Sequence, residues 1–319
     1  MSHEVYWRLG FFFSVLAIMM LLEWQKPARQ STIKNRSRWF ANFGLTFTST
    51  LLARFTVPVG LTAVAAYYQQ HGIGLFNQLN VSPLIAVILS LLLLDLIIYW
   101  QHRLFHQVPI LWRLHRVHHA DAHIDTSTGL RFHPIEIVLS ILIKLIAVTA
   151  LGVPAIAVLI FEIALNGLAL FNHANIRLPN SIEKPLRLVL VTQVLHRIHH
   201  SQNPEETNSN FGFSVTWWDR LFGSYKSQAS QPDKNIALGL SQYSNPKQNS
   251  SMLALNKLCR VLFSLIRCCA SSIAFIPGKP VRKNIANSSA SESAFAPFSS
   301  SFSRGLSELG REVNCIVHP

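Results

Sequence analysis

Nine histidines occur in four groups between Gln101 and Ser201. The groups are His102 with His106; His115 with His118 and His119; His173 alone; and His196 with His199 and His200. Residues three and four positions apart lie on one face of a helix, so each larger group can present its imidazoles together. Imidazole binds iron, zinc, copper and nickel, and nine rings exceed the needs of one tetrahedral site. The spacing therefore predicts a centre with more than one metal ion.

The cysteines lie apart from these histidines. All four, Cys259, Cys268, Cys269 and Cys315, fall in the last quarter of the sequence. The predicted centre must therefore rest on nitrogen ligands, with oxygen as the other ligand atom available. Nothing in the cysteine spacing indicates a disulfide framework.

The composition is that of a membrane protein. Half of the 319 residues are apolar, only 13% are charged, and the mean hydropathy is positive. The formal net charge is +13, but the basic residues flank apolar segments and form no stripe with interleaved aromatics. Such flanking is typical of cytoplasmic membrane edges, and we do not expect nucleic-acid binding.

Apolar runs predict four to five membrane helices. They cover residues 9–22 (extendable to Val5), 41–68, 83–100, 134–151 and 154–171. Arg54 inside the second run either faces protein or marks a shorter span. The last two runs either cross the bilayer, at about 27 Å each from about 1.5 Å per residue, or form a re-entrant hairpin. Lys144 and Glu162 fall at nearly the same depth of this hairpin, which predicts an ion pair.

Charge asymmetry between the loops predicts the orientation. The first loop, residues 25–40, carries Lys26, Arg29, Lys34, Arg36 and Arg38, whereas residues 69–82 carry no Asp, Glu, Lys or Arg. The positive-inside rule then places the first loop in the cytoplasm. The third helix returns to that side just before His102, and the hairpin returns His173 to it. All four histidine groups are thus predicted at one cytoplasmic interface.

One acidic residue in the third helix is a candidate partner for these histidines. Asp95 lies seven residues before His102 and on the same helical face. Its carboxylate could fix the tautomer of His102 or of a neighbouring histidine. The alternatives are a salt bridge to Arg103 or a polar contact between helices.

Several histidine-ligated metals at a membrane face favour iron and dioxygen, because a metal pair can oxidise an unactivated C–H bond. Three alternatives exist. A zinc hydrolase uses three ligands and a water, and a bis-histidine haem needs one histidine on each facing helix. A membrane metal-binding or transport protein would place its ligands near mid-bilayer.

The motifs around the histidines resemble those of the fatty acid hydroxylase superfamily, which includes sterol desaturases, C4-methyl sterol oxidases and alkylglycerol monooxygenase. They are DLIIYWQHRLFH at 95–106, HRVHH at 115–119, RFHPIE at 131–136, NHAN at 172–175 and HRIHHS at 196–201. The segments NFG at 210–212 and WWDRLFGSY at 217–225 are also similar to the family's sequence after the last histidine box. The resemblance covers roughly residues 80–226.

This resemblance implies an all-α integral membrane protein whose cytoplasmic helical cap holds a histidine-ligated di-iron centre. It implies O₂ as co-substrate and electrons from a redox partner such as ferredoxin, cytochrome b5 or a reductase. The implied substrate is a lipid, whether sterol, fatty acyl or ether lipid. Hydroxylation is the expected reaction, and desaturation by the same centre is the alternative. No catalytic residue beyond the metal ligands is implied.

The resemblance also assigns residues. The implied ligands are His102, His106, His115, His118, His119, His173, His196, His199 and His200. His133 is a conditional tenth ligand, because some relatives carry two histidines where this chain has only His173; alternatively it orients the start of a helix. Glu136 and His123 are expected around the ligands or, for His123, facing solvent.

The chain is thereby divided into three regions. Residues 1–80 hold the N-terminal membrane helices and the basic loop, and residues 81–226 hold the di-iron catalytic region. Residues 227–319 are expected to comprise a polar linker at 227–251, an amphipathic helix at 252–266 and a disordered Ser-rich tail at 286–303.

Overall fold

The structure is a computed structural model that describes residues 3–31 and 35–243. In these residues the regular structure is helical, and the β-type pairing consists of two isolated bridges. The all-α prediction is therefore confirmed for the described part of the chain. The helices are α1 (Glu4–Gln25), α2 (Asn35–Thr56), α3 (Leu61–Gln70), α4 (Leu75–Gln78), α5 (Pro83–Gln107), α6 (Pro109–His119), α7 (Pro134–Leu151), α8 (Ala155–His173), α9 (Asn180–Leu186), α10 (Gln193–His199), α11 (Pro204–Thr207) and α12 (Trp217–Leu221).

Five described segments are long and apolar enough to cross a membrane. They are Glu4–Gln25, Arg36–Gln78, Pro83–Gln107, Pro134–Leu151 and Ala155–His173. Large apolar side chains on them point away from the protein: Phe47, Phe55, Leu84 and Ile146 are each at least 68% exposed. Apolar surface of this extent is unfavourable in water and suits contact with lipid. The chain is thus a multi-pass membrane protein.

The second predicted span is not one helix. Instead of running continuously over residues 41–68, the chain leaves α2 at Thr56 and enters α3 at Leu61. Pro58 lies in the break; it cannot donate a backbone hydrogen bond and disfavours helical geometry in the residue before it. Arg54 lies exposed in the last turn of α2, in agreement with the shorter-span alternative.

The fifth helix continues beyond the membrane-like sequence, as predicted for His102 and His106. It runs without interruption from Pro83 to Gln107. The helix stops at Val108, whose backbone is extended because Pro109 follows it. Pro109 then opens α6, which carries the next histidine group. The turn between α5 and α6 therefore sets the two groups beside each other.

Helices α7 and α8 form the predicted hairpin, joined at Gly152. This residue has φ 67° and lies against the loop at Gly74, where φ is 100°. A Cβ on Gly74 would lie 2.3 Å from the Gly152 nitrogen, so the two backbones can touch only because both residues are glycine. Next to this contact, Val148 and Val153 belong to a buried apolar core shared by α3, α5, α7 and α8.

The predicted ion pair within the hairpin is confirmed. Lys144 Nζ lies 3.8 Å from Glu162 Oε1. A third member was not predicted: Arg8 of α1 binds the other carboxylate oxygen of Glu162 at 2.8 Å. Three helices are therefore linked through one carboxylate.

The first loop and the loop at residues 69–82 lie at opposite ends of the bundle. The Ala28 amide donates to the Asn175 carbonyl at 2.8 Å, two residues beyond His173. At the other end, the Ala155 amide donates to Gln69 Oε1 at 3.3 Å, beside the α7–α8 turn. The basic loop is thus at the histidine end. The basic loop is shorter than the predicted residues 25–40, because α2 begins at Asn35 and contains two of the loop's arginines, Arg36 and Arg38.

The predicted linker at 227–251 is partly wrong. Within its described portion, Ile236 and Leu238 are buried against Ile124, and the Gln202 amide donates to the Ala237 carbonyl at 2.8 Å. The segment is polar on average, but the burial of these two apolar residues is enough to hold it against the protein. The predicted helix at 252–266, the Ser-rich tail and the four cysteines lie outside the described residues.

Candidate metal centre

Four helices carry the nine histidines to one place. His102 and His106 lie on the last turns of α5, and α6 supplies His115, His118 and His119. His173 is the last residue of α8, while His196 and His199 lie on α10 and His200 caps it. All are buried except His106, which is half-buried. The structure thus brings together every histidine of the four sequence groups.

The histidines separate into two clusters, each able to surround one ion. Within a cluster the candidate ligand atoms all lie within 4.8 Å of one another. Cluster A contains His102, His106, His115, His119 and His199, and cluster B contains His118, His173, His196 and His200. The clusters adjoin, since the ring centroids of His119 and His200 are 4.3 Å apart. The arrangement has room for two neighbouring metal ions.

Five of the histidines have one ring nitrogen fixed by an oxygen acceptor. In each case the Nδ1–H group donates to the oxygen. The pairs are His102 with the Phe211 carbonyl (2.8 Å), His115 with the Glu136 carboxylate (2.7 Å), His118 with the Arg131 carbonyl (3.1 Å), His173 with the Ala169 carbonyl (2.7 Å) and His199 with the Ser209 carbonyl (2.8 Å). Carbonyl oxygens cannot donate, so these contacts define the tautomer. The Nε2 lone pair is then left free, as in metal-binding histidines.

These lone pairs converge on each other. His102 Nε2 lies 3.1 Å from His115 Nε2, and His118 Nε2 lies 3.0 Å from His173 Nε2. Neither nitrogen of either pair carries a hydrogen, so the contact is repulsive unless a cation lies between them. Two nitrogens bound at right angles to one ion at about 2.1 Å would be about 3.0 Å apart. The donor set therefore fits a metal in each cluster.

Other buried ring nitrogens have no hydrogen-bond partner among the described residues. They are Nε2 of His106, His119 and His199 and Nδ1 of His196 and His200. A buried polar atom without a partner destabilises the fold by about 1–3 kcal/mol. Five such atoms in one place would destabilise a purely structural cluster, whereas in a set of metal ligands each of these nitrogens has the metal as its partner.

Burial keeps the clustered histidines outside the membrane-spanning helices uncharged. It lowers the pKa of His199 to about 3 and holds the pKa of His118, His119, His196 and His200 well below the ordinary value. Metal binding requires the neutral imidazole. These rings are therefore ready to bind a metal at neutral pH without first losing a proton.

Two carboxylates support the clusters. Glu136, on the first turn of α7, accepts the hydrogen bond from His115 and is itself 4% exposed. Asp219 on α12 accepts from the backbone amides of Phe211 and Gly212, both at 2.8 Å. It thereby holds the Phe211 carbonyl in place for His102. The structure places Glu136 beside a predicted ligand, as expected, whereas the indirect role of Asp219 was not foreseen.

The positions of Asp95 and His133 each agree with one of the alternatives stated for them. Asp95 accepts a hydrogen bond from Trp218 Nε1 at 2.9 Å and does not orient His102, whose Nδ1 is taken by a carbonyl. It forms no salt bridge with Arg103 either, so its role is the polar contact between elements. His133 lies outside both clusters: its Nδ1 accepts from the Ile135 amide at 3.2 Å and caps α7.

His123 also lies outside the clusters. It is buried, not solvent-facing, and its Nε2 lies 3.5 Å from the Asn175 side-chain amide. Its backbone carbonyl accepts from Arg38. Arg38 also pairs with Asp121 and Asp125, both at 2.7 Å. This buried network fastens α2 to the loop after α6.

A cavity of about 290 Å³ leads from the clusters into the helical bundle. It is lined by His102, His115 and His118, and also by Lys144 of α7 and Glu162 of α8. Its walls combine apolar side chains with hydroxyl and amide groups from α2, α5, α7 and α8. The cavity could admit an elongated molecule from the membrane region to both clusters.

Comparison with known proteins agrees with this site. Residues 87–224 match the model of the fatty acid hydroxylase family. The ornithine lipid hydroxylase OlsE of Rhizobium tropici is 30% identical over 48% of this chain and 45% of its own length. The alkylglycerol monooxygenase of Danio rerio is 34% identical over 46% of this chain and 31% of its own length.

Human lathosterol oxidase is 25% identical over 61% of this chain and 63% of its own length. The matched region thus spans a third to two thirds of the length of these relatives. No solved structure matches the chain.

Proposed function

We propose that this protein, whose residues 87–224 match the model of the fatty acid hydroxylase family, is a membrane-bound non-haem di-iron oxygenase that hydroxylates a lipid. The convergence of free Nε2 lone pairs in clusters A and B carries the proposal. It accounts for the paired nitrogens 3.0–3.1 Å apart, which no hydrogen-bonding arrangement of these tautomers satisfies. The nine histidines of the two clusters are the proposed ligands.

The chemistry that a bound iron pair supplies is the oxidation of an unactivated C–H bond with O₂ and two electrons, which side chains cannot perform alone. The protein supplies position and environment. Glu136 and the Phe211 carbonyl keep their histidines in one tautomer and orientation. Phe132 stacks on His118 with centroids 4.4 Å apart, which restricts that ring and covers it with an apolar surface. The burial of both clusters limits the access of water.

The cavity supports a lipid substrate, because it connects the clusters with the membrane-spanning helices. The printed names of the relatives include an ornithine lipid, alkylglycerols and a sterol. Two of those names describe a hydroxylase and a monooxygenase, which favours oxygen insertion over desaturation. A sterol, a fatty acyl lipid and an ether lipid are the proposed substrate classes.

We further propose that the clusters face the cytoplasm and receive electrons there from a ferredoxin, cytochrome b5 or a reductase. The basic first loop lies at the same end of the bundle as the histidines, and positively charged loops stay in the cytoplasm. This location also argues against metal transport, since a transport site would lie along a path near mid-bilayer.

The decisive experiment is metal analysis of the purified full-length protein together with O₂ uptake. We expect close to two irons per chain and reductant-dependent O₂ consumption. Comparison of lipid extracts from cells with and without the protein should then reveal a lipid heavier by one oxygen; a loss of two hydrogens would indicate desaturation. Zinc alone, with no redox activity, would contradict the proposal.

A further inference from the structure

The wall of the cavity on α7 and α8 is more polar than a hydrocarbon chain requires. Along α7, Glu136, Ser140 and Lys144 follow one another at intervals of four residues and all line the cavity. Glu162 and Asn166 line it from α8 with the same interval. Residues four apart share one helical face, so the two helices present polar side chains along the length of the cavity. Only Glu136, through its contact with His115, serves the metal clusters directly.

Lys144 has hydrogen-bonding capacity that the described part of the chain does not use. The residue is 8% exposed, and its ammonium group carries three donors. Its one recorded ionic contact is the oxygen of Glu162 at 3.8 Å, beyond normal hydrogen-bond length. No described acceptor lies within hydrogen-bonding distance of Nζ. Glu162 binds Arg8 more closely, at 2.8 Å, and Arg8 also pairs with Glu4 at 2.8 Å.

The position of Lys144 is separated from the metal clusters by a definite length. Lys144 lies eight positions along α7 from Glu136, which touches His115. At about 1.5 Å of rise per residue, this corresponds to about 12 Å along the helix. An extended hydrocarbon chain advances about 1.25 Å per carbon, given a C–C bond of about 1.5 Å. Along the axis of α7, Glu136 and Lys144 are therefore separated by the length of about nine to ten carbons.

We propose that Lys144 binds a hydrogen-bond-accepting oxygen of the lipid substrate and thereby sets which carbon reaches the metal clusters. This inference rests on the proposed function, because it takes the cavity to be the substrate site. A buried ammonium group with open donors is unfavourable opposite a pure hydrocarbon. A carboxylate, a carbonyl or a hydroxyl oxygen would satisfy it. The substrate would then carry such an oxygen about nine to ten carbons from the position that is oxidised.

The test compares three probes of equal chain length on the full-length protein in lipid nanodiscs. Binding of radiolabelled palmitic acid is measured directly, and 1-hexadecanol and hexadecane are used as competitors. For the native protein we expect palmitic acid and 1-hexadecanol to bind at least tenfold more tightly than hexadecane. Palmitic acid favoured over 1-hexadecanol would indicate a carboxylate, and equal affinity would indicate a neutral oxygen.

Three variants locate the preference. Lys144→Met keeps the length of the side chain and removes its donors, so it should reduce the preference for oxygenated probes by about tenfold or more. Lys144→Arg should retain it. Lys184→Met, which removes an exposed lysine on α9 away from the cavity, should bind like the native protein. Arg8 still pairs with Glu162 in Lys144→Met; should that variant not assemble, Lys144→Met/Glu162→Gln removes both partners and gives the same comparison.

A preference that persists without the Lys144 donors would overturn the inference, as would a native protein that binds hexadecane as tightly as palmitic acid. Iron content and O₂ uptake are measured on the same preparations. If Lys144→Met loses the probe preference but keeps normal iron content and O₂ uptake, the result supports the role of Lys144 and leaves the proposed function intact. Absence of iron and O₂ uptake in the native protein would instead contradict the proposed function.

Discussion

The hydrogen bond between His115 and Glu136 offers a direct test of the metal centre. Substituting Glu136→Gln removes the negative charge and keeps an oxygen acceptor of nearly the same shape. The acceptor can still fix the His115 tautomer, so the change isolates the effect of charge. Since the carboxylate makes the His115 imidazole a stronger electron donor to a metal, we expect iron to be held less tightly in cluster A.

The structure sets the size of the effect. The contact is 2.7 Å long and both side chains are nearly fully buried. Hydrogen bonds to a charged group contribute about 1.5–3 kcal/mol, roughly twice the value for neutral partners. Replacing the charged acceptor with a neutral one should therefore cost about 1–1.5 kcal/mol. At 1.36 kcal/mol for each factor of ten, iron affinity should fall by about tenfold.

The assay titrates purified native protein and Glu136→Gln with an iron chelator and measures residual iron per chain. A matched control is Glu183→Gln, which removes another buried carboxylate outside the clusters. The Glu183 carboxylate pairs with Arg187 and accepts a hydrogen bond from Thr192 at 2.8 Å. Glu183→Gln can lower thermal stability but should retain iron like the native protein. Equal iron retention by Glu136→Gln and the native protein would refute the reasoning, because the carboxylate would then not act on a ligand.

Three further substitutions probe other parts of the site. His118→Ala should abolish lipid oxidation and remove about half of the iron, because it deprives cluster B alone of a ligand. Its circular dichroism spectrum should stay native, and the control is His71→Ala at an exposed position. Full activity of His118→Ala would contradict the assignment. Gly129→Ala places a Cβ 2.6 Å from the Ala169 carbonyl, so overpacking should lower stability by about 1–3 kcal/mol in thermal melts; an unchanged melting temperature would contradict that packing. Asp219→Asn weakens the support of the Phe211 carbonyl and should lower iron occupancy severalfold in metal analysis, whereas unchanged occupancy would show that this carbonyl needs no such support.

The membrane helices and the histidine clusters were largely predictable because each depends on local spacing. Apolar runs of sufficient length gave the hairpin of α7 and α8, and turn-forming Gly152 marked its tip. The ion pair of Lys144 with Glu162 followed from equal depth in that hairpin. Arg8 as a further partner of Glu162 did not follow, because contacts between distant segments depend on how the helices pack and no local pattern encodes that packing.

The support around the clusters was only partly predictable, for a chemical reason. Most of the oxygens that accept from Nδ1 are backbone carbonyls, such as those of Ser209 and Phe211. Every residue has a carbonyl, so no residue type marks these positions in a sequence. Only Glu136, where the acceptor is a side chain, left a recognisable signal. The spacing of Asp95 left a contact with a histidine and a polar contact between elements as alternatives, and its partner proved to be Trp218 on a distant helix.

The two His-x-x-His-His motifs have a further property that composition alone does not show. Each motif contributes to both clusters: His115 and His119 belong to cluster A and His118 to cluster B, while the second motif reverses this assignment, with only its middle histidine in cluster A. Positions i and i+4 of a helix differ by about 40°, whereas i+3 lies about 60° to the other side of i. One helix therefore directs two rings to one cluster and the remaining ring to the other. Neither motif can be removed without damage to both clusters, which ties the two metal positions into a single unit.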